Sequence, residues 1–219
     1  MIDLFPLYLT LKVSFAATFF SVIIGLGLAW LTARKEFFGK GILDALIMQP
    51  LVIPPTVLGY YLLVLLGRSS PFGRFLEDTA GITLVFTWKA AVVAAFVASL
   101  PLFVKPARAA LEGVDKNLEN AARLLGKTEW AVLKTITIPL AWRGIAAGSV
   151  MAFARATGEF GATLMVAGNI PGMTQTLPIA IYDAVQMGNT NMANLLVGII
   201  TIFSLAVLYF VNRFTKGRY

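Results

Sequence analysis

Long apolar segments divide the chain, and five of them approach the roughly 20 residues that a helix needs to cross a bilayer. Their approximate bounds are Tyr8–Thr32, Leu43–Leu66, Ile82–Val104, Ile138–Thr157 and Leu195–Val211. Trp88 and Lys89 mark an alternative start for the third segment, because an aromatic ring and a snorkelling lysine favour the membrane interface. The pattern predicts an all-α, polytopic membrane protein in which residues 1–219 form a single transmembrane domain.

Prolines interrupt the second apolar segment at Pro50, Pro54 and Pro55. Proline lacks a backbone donor and clashes with the preceding turn, so this helix is expected to kink or unwind. Backbone groups freed at membrane depth are tolerated only inside protein or along a wet cavity. Pro54 and Pro55 are therefore candidates for a translocation path or gate, with a purely structural kink as the alternative.

The segment from Gly158 to Asn194 is rich in Gly, Pro, Asn and Thr, and its apolar pieces are too short to cross a bilayer. Both a re-entrant hairpin and an ordinary external loop fit this pattern. Just before it, Arg155 and Glu159 lie four residues apart, at the spacing of an ion pair on one helix face. Ionisable groups in membranes usually pair or face water, so these two residues either form a structural pair or line the path or gate.

Composition supports the membrane interpretation, since 58% of the 219 residues are hydrophobic and only 13% are charged. A soluble domain of this size could not bury so much apolar surface. Cysteine and histidine are absent, which excludes thiol and imidazole chemistry and the usual metal ligands. We therefore expect no catalytic residue, no metal site and no cofactor in this chain.

Positive charge is concentrated in alternate loops, as the positive-inside rule requires of cytoplasmic loops. The basic loops and tail contain Arg34, Lys35, Lys40, Lys105, Arg108, Lys116, Arg123, Lys127, Lys134, Arg213, Lys216 and Arg218. This distribution predicts a multi-pass protein of the cytoplasmic (inner) membrane, with the N-terminus outside and the C-terminus inside. The net charge of +7 does not form one stripe, so no nucleic acid is expected as a partner.

The cytoplasmic loop at about residues 105–137 contains the most informative pattern. Asp115 is a good N-cap, apolar residues follow at helical spacing, and Gly126 supplies a stop signal. Thr128 can then cap a second short helix. The predicted amphipathic helix is too short to be stable alone, so it packs either on its own domain or in a groove of a soluble partner.

This loop resembles the signature of ABC importer permeases, in which a Glu-Ala-Ala triplet precedes a glycine and a later Ile-x-Leu-Pro. The matching positions are Asn120, Ala121, Ala122, Gly126, Ile136, Ile138 and Pro139. Asn120 replaces the acid, with Glu119 one step earlier, and Ile138 replaces the leucine. The resemblance implies that these residues couple the chain to an ATPase and that the fold is that of a type I ABC importer permease.

Other stretches extend the resemblance over the whole chain, towards the molybdate permeases of the sulfate/molybdate branch. These stretches are PLVIPPTVLGYYLLVLLG, LEGVDKNLENAARLLG and ARATGEFGATLMVAGNIPG with TLPIAIY. Sulfate and thiosulfate permeases usually have an additional N-terminal span, so its absence and the pair Tyr60–Tyr61 favour molybdate. Tungstate, sulfate and thiosulfate remain alternative substrates.

The resemblance implies a homodimer that works with two cytoplasmic ABC ATPase subunits, an external oxyanion-binding protein and the lipid bilayer. ATP and Mg would be used by the ATPase, because a phosphate loop ending at Gly126-Lys127-Thr128 would require a glycine where Ala121 stands. The expected function is therefore ATP-driven oxyanion import by alternating access. An autonomous secondary carrier is the competing class, although the expected internal repeats and intramembrane charges are not evident.

Overall fold

The computed structural model describes residues 3–215, and within these residues it contains helices and turns but no strand. The helices are α1 Phe5–Arg34, α2 Lys40–Met48, α3 Pro55–Leu66, α4 Pro71–Ala80, α5 Trp88–Glu112, α6 Lys116–Leu124, α7 Glu129–Val132, α8 Ile138–Thr157, α9 Gly161–Ala167, α10 Leu177–Gln186 and α11 Thr190–Thr215. A 3₁₀ turn, Gln49–Leu51, follows α2, and a π-helical turn, Leu133–Thr137, joins α7 to α8. The all-α class predicted from the sequence is confirmed.

Within the described residues, four helices are long and apolar enough to cross a membrane, or five if the bent pair α2 and α3 counts as one span. They are α1, α5, the continuous helix from Glu129 to Thr157, and α11. This count agrees with the five predicted apolar segments. Of the basic residues in the C-terminal tail, Lys216 and Arg218 lie outside the described residues.

The centre of the bundle is formed by α1, α5 and α8. Helices α1 and α5 run parallel, with Ser21 Oγ 3.3 Å from Ser99 Oγ. Helix α8 runs antiparallel to α5, and a Cβ added at Gly148 would lie 2.8 Å from the carbonyl oxygen of Phe103. Small residues let these backbones approach closely, which is how membrane helices gain packing energy without a hydrophobic driving force between them.

The second apolar segment is broken, as its prolines predicted. The part Lys40–Leu51 makes an angle of 113° with α3, so the predicted span Leu43–Leu66 is two short helices. Pro54 adopts an extended conformation at the break, and its carbonyl oxygen accepts hydrogen bonds from the N–H groups of Val57 and Leu58. Pro55 occupies the first helical position, where no backbone donor is needed.

The third predicted span begins at its alternative start, because Thr87 is the N-cap of α5 and Trp88 its first residue. Its other end extends beyond the predicted Val104 to Glu112, although Pro101 and Pro106 lie inside the helix. Glycines of α1 and α8 pack closely against this part of the helix, at Phe103 and Pro106. The cytoplasmic loop predicted at about 105–137 therefore begins within α5.

The segment after α8 contains two short helices rather than a span. Helix α9 packs between α3 and α5, and Ala162, Val166 and Ala167 are fully buried there. Helix α10 packs on α11, and the N–H of Leu177 donates to Thr10 Oγ1 of α1 at 2.7 Å. Most of this segment is therefore built into the bundle at the end where α1 begins.

Candidate functional site

Helix α6 has the ends that the sequence predicted. The N–H of Asn117 donates to Asp115 Oδ1 at 2.8 Å, which caps the helix start. At the other end Gly126 has a φ of +80°, and the N–H of Lys127 donates to the carbonyl oxygen of Ala122 at 3.1 Å. A left-handed glycine at this position closes the last turn of the helix.

The two faces of α6 differ sharply. Glu119 and Ala122 are buried on the inner face. On the outer face Leu118, Leu124 and Leu125 are exposed, and Leu124 retains 90% of its accessible surface. Asn120 and Ala121 are also exposed. Large leucines left in solvent on a short helix mark this face as an interaction surface.

Glu119 connects three parts of the chain. Its Oε1 atom lies 2.7 Å from Arg34 Nη2 at the end of α1, and Thr137 Oγ1 in the π-helical turn donates to the same oxygen at 2.6 Å. Only 4% of Glu119 is exposed. Breaking a buried ion pair by removing one partner leaves an uncompensated charge, so this contact holds α6 firmly against α1 and the start of α8.

A second, exposed pair crosses from α6 to α7. Arg123 Nε donates to Glu129 Oε1 at 2.6 Å, and Arg123 Nη1 donates to Asn120 Oδ1 at 2.7 Å. The hydrogen bond from Arg123 to Glu129 raises the pKa of the arginine further above its ordinary value, so the pair remains ionised. Asn120, which stands where the permease signature has an acid, is thus joined to Arg123.

The remaining residues of the signature lie where α7 becomes α8. Ile136 and Ile138 are half-buried and Pro139 is exposed. Pro139 has no N–H to donate to a carbonyl oxygen of the preceding turn. The chain forms the π-helical turn Leu133–Thr137 shortly before this proline. The N–H of Ala131 donates to Thr128 Oγ1 at 3.3 Å, which confirms the predicted cap of the second short helix.

Arg155 and Glu159 form an ion pair where α8 ends. Arg155 Nη2 lies 2.7 Å from Glu159 Oε2, and the side chain of Glu159 is almost completely buried. The other carboxylate oxygen, Oε1, accepts a hydrogen bond from the N–H of Ala162 at 2.8 Å. Glu159 therefore satisfies a backbone donor at the start of α9 while it neutralises Arg155.

The break between α8 and α9 touches the break between α2 and α3. A Cβ added at Gly161 would lie 2.9 Å from Pro55 Cβ, and one added at Gly59 would lie 2.6 Å from Met165 Cβ. Helices α3 and α9 thus begin at the same level and run side by side in the same direction. The four candidates for a path or gate, Pro54, Pro55, Arg155 and Glu159, are brought to this one level.

This level lies within the bundle rather than at its surface. Gly148 of α8 faces Phe103 of α5, and beyond the break the N–H of Phe86 donates to the carbonyl oxygen of Val166 at 2.9 Å. Glu159 falls between these two contacts, so about two turns of α9 separate it from the end of the bundle where α1 begins. The sequence did not predict this depth. The one signal of close packing was the set of small residues in α9.

Sequence analysis also missed the partners of Glu119. In the sequence Arg34 is one of several loop charges, and no pattern singles out Thr137. The contacts join residues 85 and 18 positions apart in the chain, which no local periodicity reveals. The only available signal was the position of Glu119 beside Ala122 on the inward face of the predicted helix.

The arrangement of helices is that of importer permeases. The chain superposes on a subunit of the MetNI methionine ABC transporter in an inward-facing conformation with a TM-score of 0.72 and 19% identity, covering 96% of this chain and 93% of that one. It superposes on a chain of a bacterial ABC transporter that imports the polysaccharide alginate with a TM-score of 0.75 and 15% identity, covering 97% and 78%. The fold class is therefore that of type I ABC importer permeases.

Residues 21–217 match the model of the family described as binding-protein-dependent transport system inner membrane component, and the chain belongs to this family. The molybdenum transport system permease protein ModB of Escherichia coli K12 is 48% identical over 214 residues, covering 96% of this chain and 93% of that protein. The putative molybdenum transport system permease protein YvgM of Bacillus subtilis is 42% identical over 209 residues, covering 95% and 92%. The chain is thus a multi-pass inner-membrane component of an ABC importer.

Replacing Glu119 with alanine should strongly destabilise the permease, because Arg34 would keep its buried charge without a partner. Loss of one member of a buried pair typically costs about 3–5 kcal/mol. Thermal unfolding of the detergent-solubilised protein measures the effect. The matched control is Glu129→Ala, which breaks an exposed pair on the same surface and should shift the unfolding midpoint very little. Equal shifts for the two variants would show that the Glu119 contact is not structurally important.

Proposed function

We propose that this chain is the membrane-spanning subunit of an ATP-driven, binding-protein-dependent importer of molybdate. The proposal is supported by relatives that are named for molybdenum transport and match nearly the whole chain at 42–48% identity. Sulfate, thiosulfate and tungstate are alternative substrates of similar tetrahedral shape and charge. A sulfate permease of Chlamydomonas reinhardtii is 34% identical over 210 residues, covering 96% of this chain and 57% of that protein.

In the proposed assembly, two copies of the chain form the path, two cytoplasmic ABC ATPases bind the α6 helices, and an external protein delivers the oxyanion. The chain is not an enzyme by itself, and the partner ATPases use ATP and Mg. The N-terminus lies outside and α6 lies in the cytoplasm, as the distribution of basic residues predicts. Under this orientation Arg34 and Glu119 meet at the cytoplasmic end of the bundle.

The observation that carries the coupling mechanism is the two-sided character of α6. Its outward leucines offer apolar side chains to a groove, which is the usual way in which an amphipathic helix docks on a partner. Its inward Glu119 is fixed to α1 and to the helix that leads into α8. Closure of the ATPase dimer would therefore push on α6 and move α1 and α8 with it.

The path would open and close at the level where the two broken helices meet. Discontinuous helices near the midplane recur at transport sites, because their ends can rearrange without exposing unpaired backbone groups to lipid. Pro54 and Pro55 allow the bend on one side, and the Arg155–Glu159 pair terminates α8 on the other. Glu159 neutralises Arg155, so an oxyanion would be attracted only weakly and could leave.

Leu124→Asp should uncouple the importer while leaving the permease in the membrane. The side chain is almost fully exposed, so its replacement affects the docking surface rather than the fold. We expect uptake and binding-protein-stimulated ATP hydrolysis by the reconstituted complex to fall at least about tenfold, equivalent to about 1.4 kcal/mol of lost docking energy. Leu124→Met, which keeps an apolar side chain, is the control and should retain nearly full activity. Normal coupled uptake with aspartate would argue against ATPase docking at this face.

The double variant Arg155→Gln/Glu159→Gln separates the pathway role from a structural one. Glutamine keeps an acceptor for the N–H of Ala162, and removing both charges together avoids an unpaired ion in the bundle. If the pair belongs to the gate, uptake should fall at least about tenfold while the variant assembles and its ATPase remains stimulated. A structural pair predicts normal uptake, and that result would remove both residues from the pathway.

Substrate choice can be tested with the assembled complex and its external binding protein loaded with each oxyanion in turn. We expect the molybdate-loaded protein to stimulate ATP hydrolysis most strongly, with sulfate well below it. Stronger stimulation by sulfate or thiosulfate would identify that anion, rather than molybdate, as the substrate. The chain would still be a subunit of an ABC importer. Gradient-driven uptake by the permease reconstituted alone would instead favour an autonomous carrier.

A further inference from the structure

A basic cavity of about 250 Å³ lies between the end of α1, helix α6 and the helix that starts at α7. Its lining includes neither the exposed leucines of α6 nor the residues at the level of the broken helices. Its charged lining residues are Arg34, Lys35, Lys116, Glu119, Arg123 and Glu129. Four cations and two carboxylates leave the cavity with a surplus of positive charge.

Two of these cations have no carboxylate partner within the described residues, although Lys35 Nζ lies 5.8 Å from the ring centroid of Trp30. Arg34 and Arg123 each contact a carboxylate, Glu119 and Glu129 respectively. Lys35 and Lys116 form no ion pair within the described residues, and the buried Nε atom of Arg34 has no hydrogen-bond acceptor. The Nε atom of Arg34 is enclosed by protein, but the two exposed lysines give the cavity a surplus of positive charge that suits an anion.

An apolar surface groove of about 470 Å³ continues from the cavity along α1 towards the middle of that helix. The cavity and the groove share the lining residues Trp30, Glu129 and Leu133. The groove is completed by Ile23, Leu26, Gly27, Trp130 and Ile138. Trp130 is 72% exposed, as is common for aromatic side chains at a membrane interface.

The length of the combined site matches one leaflet of a bilayer. Ile23, Gly27, Trp30 and Arg34 follow one another on a single face of α1, at helical spacing. From Ile23 to Arg34 the helix rises about 16 Å, and half of a typical hydrocarbon core is about 15 Å. The polar end and the apolar end are therefore as far apart as the headgroup and the chain ends of a phospholipid.

We propose that this site binds an anionic phospholipid from the leaflet at the α6 end of the bundle. The phosphate group would contact Lys35 and Lys116, and an acyl chain would lie along Gly27 and Leu133. Charge complementarity selects an anionic headgroup, because a zwitterionic lipid would add a positive charge to a cavity that already has a surplus. Because Lys35 directly follows α1 and Lys116 begins α6, the lipid would reinforce the attachment of α6 to α1.

Native mass spectrometry of the delipidated permease–ATPase complex tests the headgroup, after addition of phosphatidylglycerol or phosphatidylcholine with identical acyl chains. The wild type should retain phosphatidylglycerol preferentially. Each basic residue near an anionic lipid contributes a factor of about five, so Lys35→Gln/Lys116→Gln should weaken retention roughly 25-fold. Lys105→Gln/Lys134→Gln removes the same charge from exposed residues outside the cavity and should have little effect. If the double variant does not assemble, each single Lys→Gln variant should weaken retention about fivefold.

Gly27→Leu tests the groove, because a Cβ at this position meets nothing within 4 Å and the longer side chain would fill the space of the acyl chain. Retention of phosphatidylglycerol should fall at least about fivefold. The control Gly198→Leu is also unobstructed, on α11, and should retain the lipid. Each of three results would overturn the proposal. The wild type, Lys35→Gln/Lys116→Gln and Gly27→Leu would retain phosphatidylglycerol equally. Alternatively, the wild type would retain the two lipids equally, or inorganic phosphate would displace the lipid.

Discussion

The attachment of α6 to the bundle depends on one buried interaction, the contact of Glu119 with Arg34 and Thr137. A carboxylate that is almost fully removed from water is stable only when a cation and a hydrogen-bond donor satisfy it. Here the cation comes from the end of α1 and the donor from the π-helical turn before α8. A helix of nine residues, too short to be stable alone, thereby becomes a fixed part of two membrane-spanning helices.

The membrane interior imposes a second constraint, because each backbone polar group there needs a partner inside the protein. The two helix breaks meet this requirement in different ways. At α3, Pro55 has no N–H to satisfy and Pro54 accepts two hydrogen bonds. At α9, the buried Glu159 carboxylate accepts from Ala162 while Arg155 balances its charge. Gly161 allows the two breaks to touch, since a side chain there would clash with Pro55.

Sequence patterns predicted those features of the fold that depend on residues close together in the chain. The spans follow from apolar length, the ends of α6 from Asp115 and Gly126, and the break before α3 from its prolines. The inward direction of Glu119 could not be predicted, because it depends on Arg34, which is 85 residues away in the chain. The depth of Glu159 was missed for a similar reason. Helix α9 has only seven residues, and its position is set by packing on α3 and α5 rather than by its own sequence.

The central claim is that α6 and α1 move together when the ATPases close. Because the chain contains no cysteine, spin labels can be placed at Glu36 and Asn117 without background labelling, and their separation can be measured by pulsed electron paramagnetic resonance in the assembled importer. We predict that the separation between the labels at Glu36 and Asn117 of one chain stays the same with and without bound ATP. The separation between the two Asn117 labels of the two copies should change. A change of α6 relative to α1 on ATP binding, with no change between the two copies, would contradict it.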